Sequence, residues 1–176
     1  MNNLQVIHFV PAPKIDDEFF AAKTQRLALK LYDHPIDLII TSTSKDAAAT
    51  TKVIAQTKMK SCTVLQSEFF DERYAKNDEE EGLDFLCQRG EKGLSLIASK
   101  PQRHIVVITH KEIFSALFAA IGFGDINTFA GQRLYLVVKE GGISTFTHHP
   151  PQRWTMHCFN NVSHLEVEPR LIPKQY

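Results

Sequence analysis

Cysteine is scarce in this chain: Cys62, Cys87 and Cys158 are the only three in 176 residues. An odd number at wide spacing argues against a disulfide framework and for reduced, packed thiols, as expected of a cytoplasmic protein. An excess of charge of one sign is also missing, since 20 Lys and Arg balance 20 Asp and Glu. With no basic surplus, no nucleic-acid partner is expected. Long apolar runs are absent, and the best of them, "HIVVIT" and "DLIIT", fall far short of the roughly 20 residues a membrane span needs. No basic segment followed by an apolar run opens the chain, so no signal peptide is expected. Neither GxGxxG nor GxxxxGK[ST] follows any predicted strand, which excludes the ordinary dinucleotide and P-loop readings. A GxSxG elbow is missing too. His148, His149, His157 and His164 match no zinc spacing, so no metal is expected, and no cofactor either.

What is present is an alternation of strands and helices. Leu4 to Val10 is apolar and β-branched, a candidate strand. Asp16 to Tyr32 carries apolar residues at helical spacing, with Asp16 or Asp17 as the expected N-cap. "IDLIIT" (Ile36 to Thr41) is a short continuous apolar run, the mark of a strand buried on both faces. A Ser/Thr-rich turn follows, then an Ala-rich helix from Lys45 to Thr57. "CTVL" is a third short strand, and the charged stretch Asp71 to Glu81 is predicted to be a surface loop. Gly82 to Ser99 reads as a helix, and "HIVVIT" (His104 to Thr109) as a strand running straight into the helix "KEIFSALFAAIG". After Gly124, "RLYLVVKE", "GGISTFTHH" and "RWTMHCF" read as strands, the first two joined by a Gly-Gly turn. The tail 166–176 is expected to be irregular.

This order predicts one domain over residues 1–176: a three-layer α/β/α sandwich with a mostly parallel central sheet. Ligands of such sheets gather at the carboxyl ends of the strands. The polar residues found there are Ser42 and Asp46 after the second strand, Glu72 in the charged loop, and His110 after "HIVVIT". The first strand ends differently, on Val10-Pro11-Ala12-Pro13, four side chains with no chemistry.

At these segments the chain resembles the histidine phosphatase superfamily, which includes the phosphoglycerate mutases. "DLIITSTSKDAAATTKVIA" is similar to the family's Ser-Ser-Pro-x-x-Arg-Ala segment, and "FFDERYAKNDEEEG" to its Leu-x-Glu and Glu-Arg-x-Tyr-Gly segment. "IVVITHKEIFSALFAAI" is similar to the strand–Ser-His-Gly–helix segment, and "NNVSHL" to the Asn…Ser-His-Leu ending. The resemblance runs from about Leu4 to Leu165, nearly the whole chain. The resemblance implies a phosphoglycerate mutase-like fold. It also implies a chemistry in which a His after the first strand attacks phosphorus, two Arg and a second His hold the phosphoryl oxygens, and a carboxylic acid protonates the leaving oxygen.

Carried over by position, the resemblance keeps the second His as His110 and the proton donor as Glu72. The nucleophile position holds Pro11, the first Arg position Val10 and the second Arg position Asp46; Lys111 and Glu112 stand where glycines follow the His. Each lost charge-assisted hydrogen bond to phosphate removes roughly 1.5–3 kcal/mol. A carboxylate about 4 Å from a phosphate oxygen adds repulsion of about 4 kcal/mol at an effective dielectric near 20. The resemblance therefore implies a catalytically impaired pseudophosphatase. Its altered pocket, with Ser42, Asp46, Pro11, Lys111 and Glu112 as binding positions, is expected to serve an unknown small molecule or protein. The rival expectation is an enzyme, either a phosphomonoesterase or phosphohistidine phosphatase with a non-standard nucleophile around His110 and Glu72, or a different hydrolase built around the same two residues. Each residue has a plainer reading: Asp46 as a helix cap, Glu72 as part of a solvated acidic run, His110 as a backbone-bonding residue. His8 is expected to be a buried, hydrogen-bonded core residue, and Trp154 a core residue. Lys14, Arg26, Lys45 and Arg73 are the cations available to turn toward the cleft.

Overall fold

A computed structural model of the protein describes residues 4–58, 62–72, 75, 76, 79, 80, 82–123, 136–151 and 153–165. In chain order the elements are β1 (Gln5–Pro11), α1 (Phe20–Leu31), β2 (Leu38–Thr41), α2 (Lys45–Thr57), β3 (Thr63–Gln66), β4 (Ala75–Lys76), β5 (Glu79–Glu80), α3 (Leu83–Ala98), β6 (His104–Thr109), α4 (Lys111–Phe123), β7 (Ile143–His149) and β8 (Arg153–Asn161). A 3₁₀ turn, Glu68–Phe70, follows β3. The main sheet has the order β3-β2-β6-β1-β7-β8. β3, β2, β6 and β1 are parallel, while β7 and β8 run antiparallel at one edge. The expected three-layer α/β fold with a mostly parallel sheet is the fold observed.

The period-2 pattern of the central strands divides the core in two. Val10, Ile39, Val106 and Ile108 face α1 and α2, where they meet Leu27, Ala28, Leu31, Ala47 and Ile54. Ile7, Phe9, Leu38, Ile40, Ile105 and Val107 face α3 and α4, where they meet Ile97, Phe114 and Leu117. The second layer is the aromatic one: Phe9 packs edge-on against Phe114 at 6.0 Å and Phe146 at 5.6 Å. Each such fully buried ring contributes on the order of 1.5–3 kcal/mol over its exposed state.

Three expectations are corrected. α1 begins at Phe20 rather than at Asp16 or Asp17, and no side chain caps it. Asp17 instead accepts the Phe19 amide at 2.7 Å and pairs with Lys23, so its carboxylate closes a local turn ahead of the helix. Residues 136–139 of "RLYLVVKE" form no strand, and 124–135 lie outside the described residues. Here the Asn160 side chain takes the place of a neighbouring strand: its amide donates to the Val137 carbonyl at 3.0 Å and its carbonyl accepts from Lys139 N at 3.0 Å. The Gly-Gly turn is present, with Gly141 at φ 74°, but it leads from this irregular segment into β7. The charged loop carries a short antiparallel pair, β4 with β5. The tail 166–176 lies outside the described residues.

Two contacts matter for the cleft. An added Cβ at Gly93 would lie 3.1 Å from Phe70 Cε1, so the absence of a side chain lets α3 approach the turn that precedes Glu72. Buried Arg89 on the same helix donates to the backbone carbonyls of Glu68, Asp71 and Glu72 at 3.2, 2.8 and 3.0 Å. A fixed cation on three carbonyls holds that backbone in place.

Candidate functional site

The carboxyl ends of β1, β2 and β6 meet on one edge of the sheet, tied by backbone hydrogen bonds. Ala12 N donates to Thr109 O at 2.8 Å, and Ser42 N to Ile108 O at 2.9 Å. Pro11 closes β1 opposite Thr109 and accepts from Gly141 N at 2.7 Å. The end of β1 is thus occupied by backbone contacts and offers no reactive side chain.

His110 stands between β6 and α4 and is 3% exposed. Its Nδ1 lies 3.2 Å from Glu72 Oε1. Its Nε2 lies 3.0 Å from Ser44 Oγ and 3.1 Å from Ser42 Oγ. Burial lowers its basicity below that of a free imidazole, opposed by the Glu72 carboxylate beside it. Burial thus favours the neutral ring, and in that form the tautomer follows from its partners. Nδ1 carries the hydrogen and donates to Glu72, leaving Nε2 with its lone pair.

The two serines are not equivalent. Ser42 is fully buried, donates its hydroxyl hydrogen to Asp71 Oδ1 at 2.7 Å and accepts from Ser44 N at 3.1 Å. Its single hydrogen is committed to Asp71. Ser44 is half-buried and is the N-cap of α2, accepting from Ala47 N at 3.2 Å. Its hydrogen is left to donate to His110 Nε2. Asp71 also accepts from Thr43 N and Thr43 Oγ1, both at 2.6 Å, so one carboxylate fastens the β2–α2 turn to the loop that carries Glu72.

Asp46 does not cap α2; Ser44 does. The Asp46 carboxylate accepts from Ile15 N at 2.9 Å and lies 3.7 Å from Lys14 Nζ. Lys14 also bonds Glu72 directly. That bond, ahead of burial, holds Glu72 below the usual carboxylate range and Lys14 above the usual ammonium range. Lys111 pairs with Glu140 at 2.9 Å, and Glu140 also accepts from Lys14 N at 3.3 Å. Ala12, Lys14, Glu72, His110, Lys111, Glu112 and Glu140 enclose a cavity of about 70 Å³. A wider cavity of about 390 Å³ opens beside it, sharing Lys111 and Glu140 and adding Lys23, Val138, Lys139, Val162 and Leu165.

Ser42, Asp46, Glu72, His110, Lys111 and Glu112 thus come together at one edge, with Pro11 beneath them. Of the four available cations, Lys14 turns in, Arg26 donates away to Leu165 O at 3.0 Å, Lys45 is solvent-exposed and Arg73 lies outside the described residues. Sequence reasoning missed Ser44, Asp71 and Glu140. The Ser/Thr-rich turn signalled the first, but nothing in linear spacing links Asp71 or Glu140 to His110. The remaining histidines are scattered: His148 stacks on Trp154 at 4.5 Å, His157 bonds Thr147 and His164 bonds Gly141 O. Among the described residues no helix is long and apolar enough to cross a membrane.

No protein-family model matches the sequence, and no curated protein matches it. Solved structures do match. Bacillus stearothermophilus YhfR superposes with a TM-score of 0.79 at 14% identity, covering 92% of this chain and 100% of its own. A phosphoglycerate mutase from Bacillus anthracis str. Sterne gives 0.75 at 11% identity, covering 93% and 96%. An alpha-ribazole phosphatase from Shigella flexneri gives 0.74 at 14%, covering 89% and 96%. These TM-scores over nearly the whole chain, at so low an identity, establish a likeness of architecture: this chain has the phosphoglycerate mutase-like α/β fold of the histidine phosphatases.

Proposed function

We propose that this protein has lost phosphoryl transfer and works as a binding or regulatory module whose strand-end cleft receives a neutral or cationic group. The motif resemblance puts the nucleophilic imidazole at Pro11, which has no atom to attack phosphorus. It puts the paired guanidinium groups at Val10 and Asp46. The observation that carries the reading is where the compensating cation goes. Among the described residues of the four available cations, Lys14 enters, and Glu72 and Asp46 hold it. Around the cleft, Lys14 and Lys111 face Asp46, Glu72, Glu112 and Glu140, two ammonium groups against four carboxylates. A phosphate dianion entering there meets net repulsion, of about 4 kcal/mol for each unscreened carboxylate at about 4 Å and an effective dielectric near 20.

Turnover of 4-nitrophenyl phosphate between pH 4 and 9 tests this. No hydrolysis above background is expected. Turnover abolished by His110→Ala, with an acid-labile phospho-label on His8 or His110, would establish instead a phosphomonoesterase with a non-standard nucleophile around His110 and Glu72.

A further inference from the structure

We propose that Ser44, His110 and Glu72 form a nucleophile–base–carboxylate relay that hydrolyses a neutral ester. The inference shares with the proposed function the acidic, phosphate-repelling cleft, and replaces passive binding of a neutral group there by its hydrolysis. Three observations carry it. The carboxylate and the hydroxyl lie on opposite nitrogens of one buried imidazole, Glu72 at 3.2 Å from Nδ1 and Ser44 at 3.0 Å from Nε2. That is the geometry in which a carboxylate orients the ring and the ring accepts the hydroxyl proton. The hydrogen count singles out Ser44, because the Ser42 proton already goes to Asp71. Finally, Ser44 stands at the turn between β2 and the N-terminus of α2, half-buried. The first amides of that helix, from Lys45 and Asp46, have no intrahelical acceptor and offer donors to an oxyanion.

The step balances without any cofactor. Ser44 Oγ forms a bond to the carbonyl carbon while its proton passes to His110 Nε2, and the carbonyl π pair moves onto oxygen. Collapse of the tetrahedral species breaks the bond to the leaving oxygen, which takes the proton from His110 and departs as an alcohol. Water, giving its proton to the same Nε2, attacks the acyl-Ser44. The bond from carbon to Oγ then breaks, His110 returns the proton to Ser44, and a carboxylic acid leaves. An uncharged ester suits a cleft where carboxylates outnumber ammonium groups. The neighbouring cavity of about 390 Å³, lined by Val138, Val162 and Leu165 together with Lys23, Lys111, Lys139 and Glu140, adjoins the smaller one and leaves room for the rest of an ester.

The test is covalent labelling of the full chain by an alkyl fluorophosphonate, whose neutral phosphorus accepts Oγ and expels fluoride. Peptide mass spectrometry locates the adduct, and the burst with 4-nitrophenyl acetate is followed in parallel. A stoichiometric adduct on Ser44 is expected. His110→Ala should slow its formation by about 100-fold or more, the contribution of a positioned general base. Glu72→Gln should shift the pH profile of labelling while leaving the far-ultraviolet spectrum unchanged. Ser44→Asn keeps an N-cap acceptor and so keeps the fold, but removes the nucleophile; it should abolish both adduct and burst. No adduct, an adduct elsewhere, or a Ser44 adduct formed equally fast in His110→Ala overturns the proposal. Because the probe carries no charge, its result is independent of how the cleft treats phosphate.

Discussion

His8 and His110 are both buried imidazoles on the sheet, and they are in opposite situations. His8 sits in mid-strand, facing α1 and α2, with Nδ1 3.0 Å from Thr145 Oγ1 and Nε2 without a partner among the described residues. Its neighbours are cationic or become so: His34 packs edge-on at 4.6 Å, with His104 and Lys58 close enough to oppose its charge. Burial first, and those groups second, lower its pKa from the ordinary 6.5 to about 4. His110 is buried too, yet it has a carboxylate on one nitrogen and hydroxyls on the other. Burial favours the neutral form of both rings. Both rings face a hydroxyl, but only His110 also has a carboxylate to stabilise the charge once a proton is received. Low basicity is thus a poor marker of a working base; the partners on the two nitrogens decide.

The largest expected effect that sharpens this contrast comes from acid. Because the His8 pKa is lower folded than unfolded, the unfolded chain binds the extra proton as pH falls below 6.5. Stability is therefore full above pH 6.5 and declines toward pH 4. The full decline from this one group is about 3 kcal/mol by the relation of 1.36 kcal/mol per pKa unit. Urea midpoints at pH 7 and pH 4.5 should differ less in His8→Asn than in the parent. An equal difference would mean that His8 is already solvated.

Next in size is Arg89→Met, which leaves the carbonyls of Glu68, Asp71 and Glu72 without their buried donor. A loss of about 2 kcal/mol is expected, in the range for hydrogen bonds to a charged group. Amide exchange should accelerate at Asp71 and Glu72 and stay unchanged around His8. Uniform acceleration would show that Arg89 supports the whole fold rather than the cleft.

Smallest is Lys14→Met. Lys14 and Glu72 are nearly half exposed, at 44% and 45%, so their pairing contributes under about 1 kcal/mol. The readout is the Glu72 carboxyl, which should titrate at higher pH in the variant, because the Lys14 bond is the main cause of its depression. The pairing stabilises above the unfolded Glu pKa and is lost as pH falls through the folded one. His8 should titrate unchanged.

Much of the frame was legible in local pattern. α2 runs from Lys45 to Thr57 as its Ala-rich composition predicts, because Ser44 caps it and nothing distant competes. β2 and β6 follow from continuous apolar runs, since strands buried on both faces need them. Where a distant side chain intervened, pattern failed. Asn160, far along the chain, bonds the Val137 carbonyl and the Lys139 amide, and residues 136–139 form no strand. Asp17 spends its acceptors on a turn rather than on a helix cap.

The candidate cleft divides the same way. Strand-end position alone singled out Ser42, Asp46, Glu72 and His110, and the identity of Pro11 and Val10 at the end of β1 is a plain fact of the chain. Residue types and their order determined the layers, the strand-end edge and the absence of an imidazole after the first strand, because these depend on periodicity and on chemistry at single positions. Tertiary structure alone decided that Lys14 is held by Glu72 and Asp46, that Asp71 takes the Ser42 proton, and that Ser44 and Glu72 meet opposite nitrogens of His110. Hydrogen bonds are short-ranged and directional, and only the folded backbone brings groups tens of residues apart to within about 3 Å.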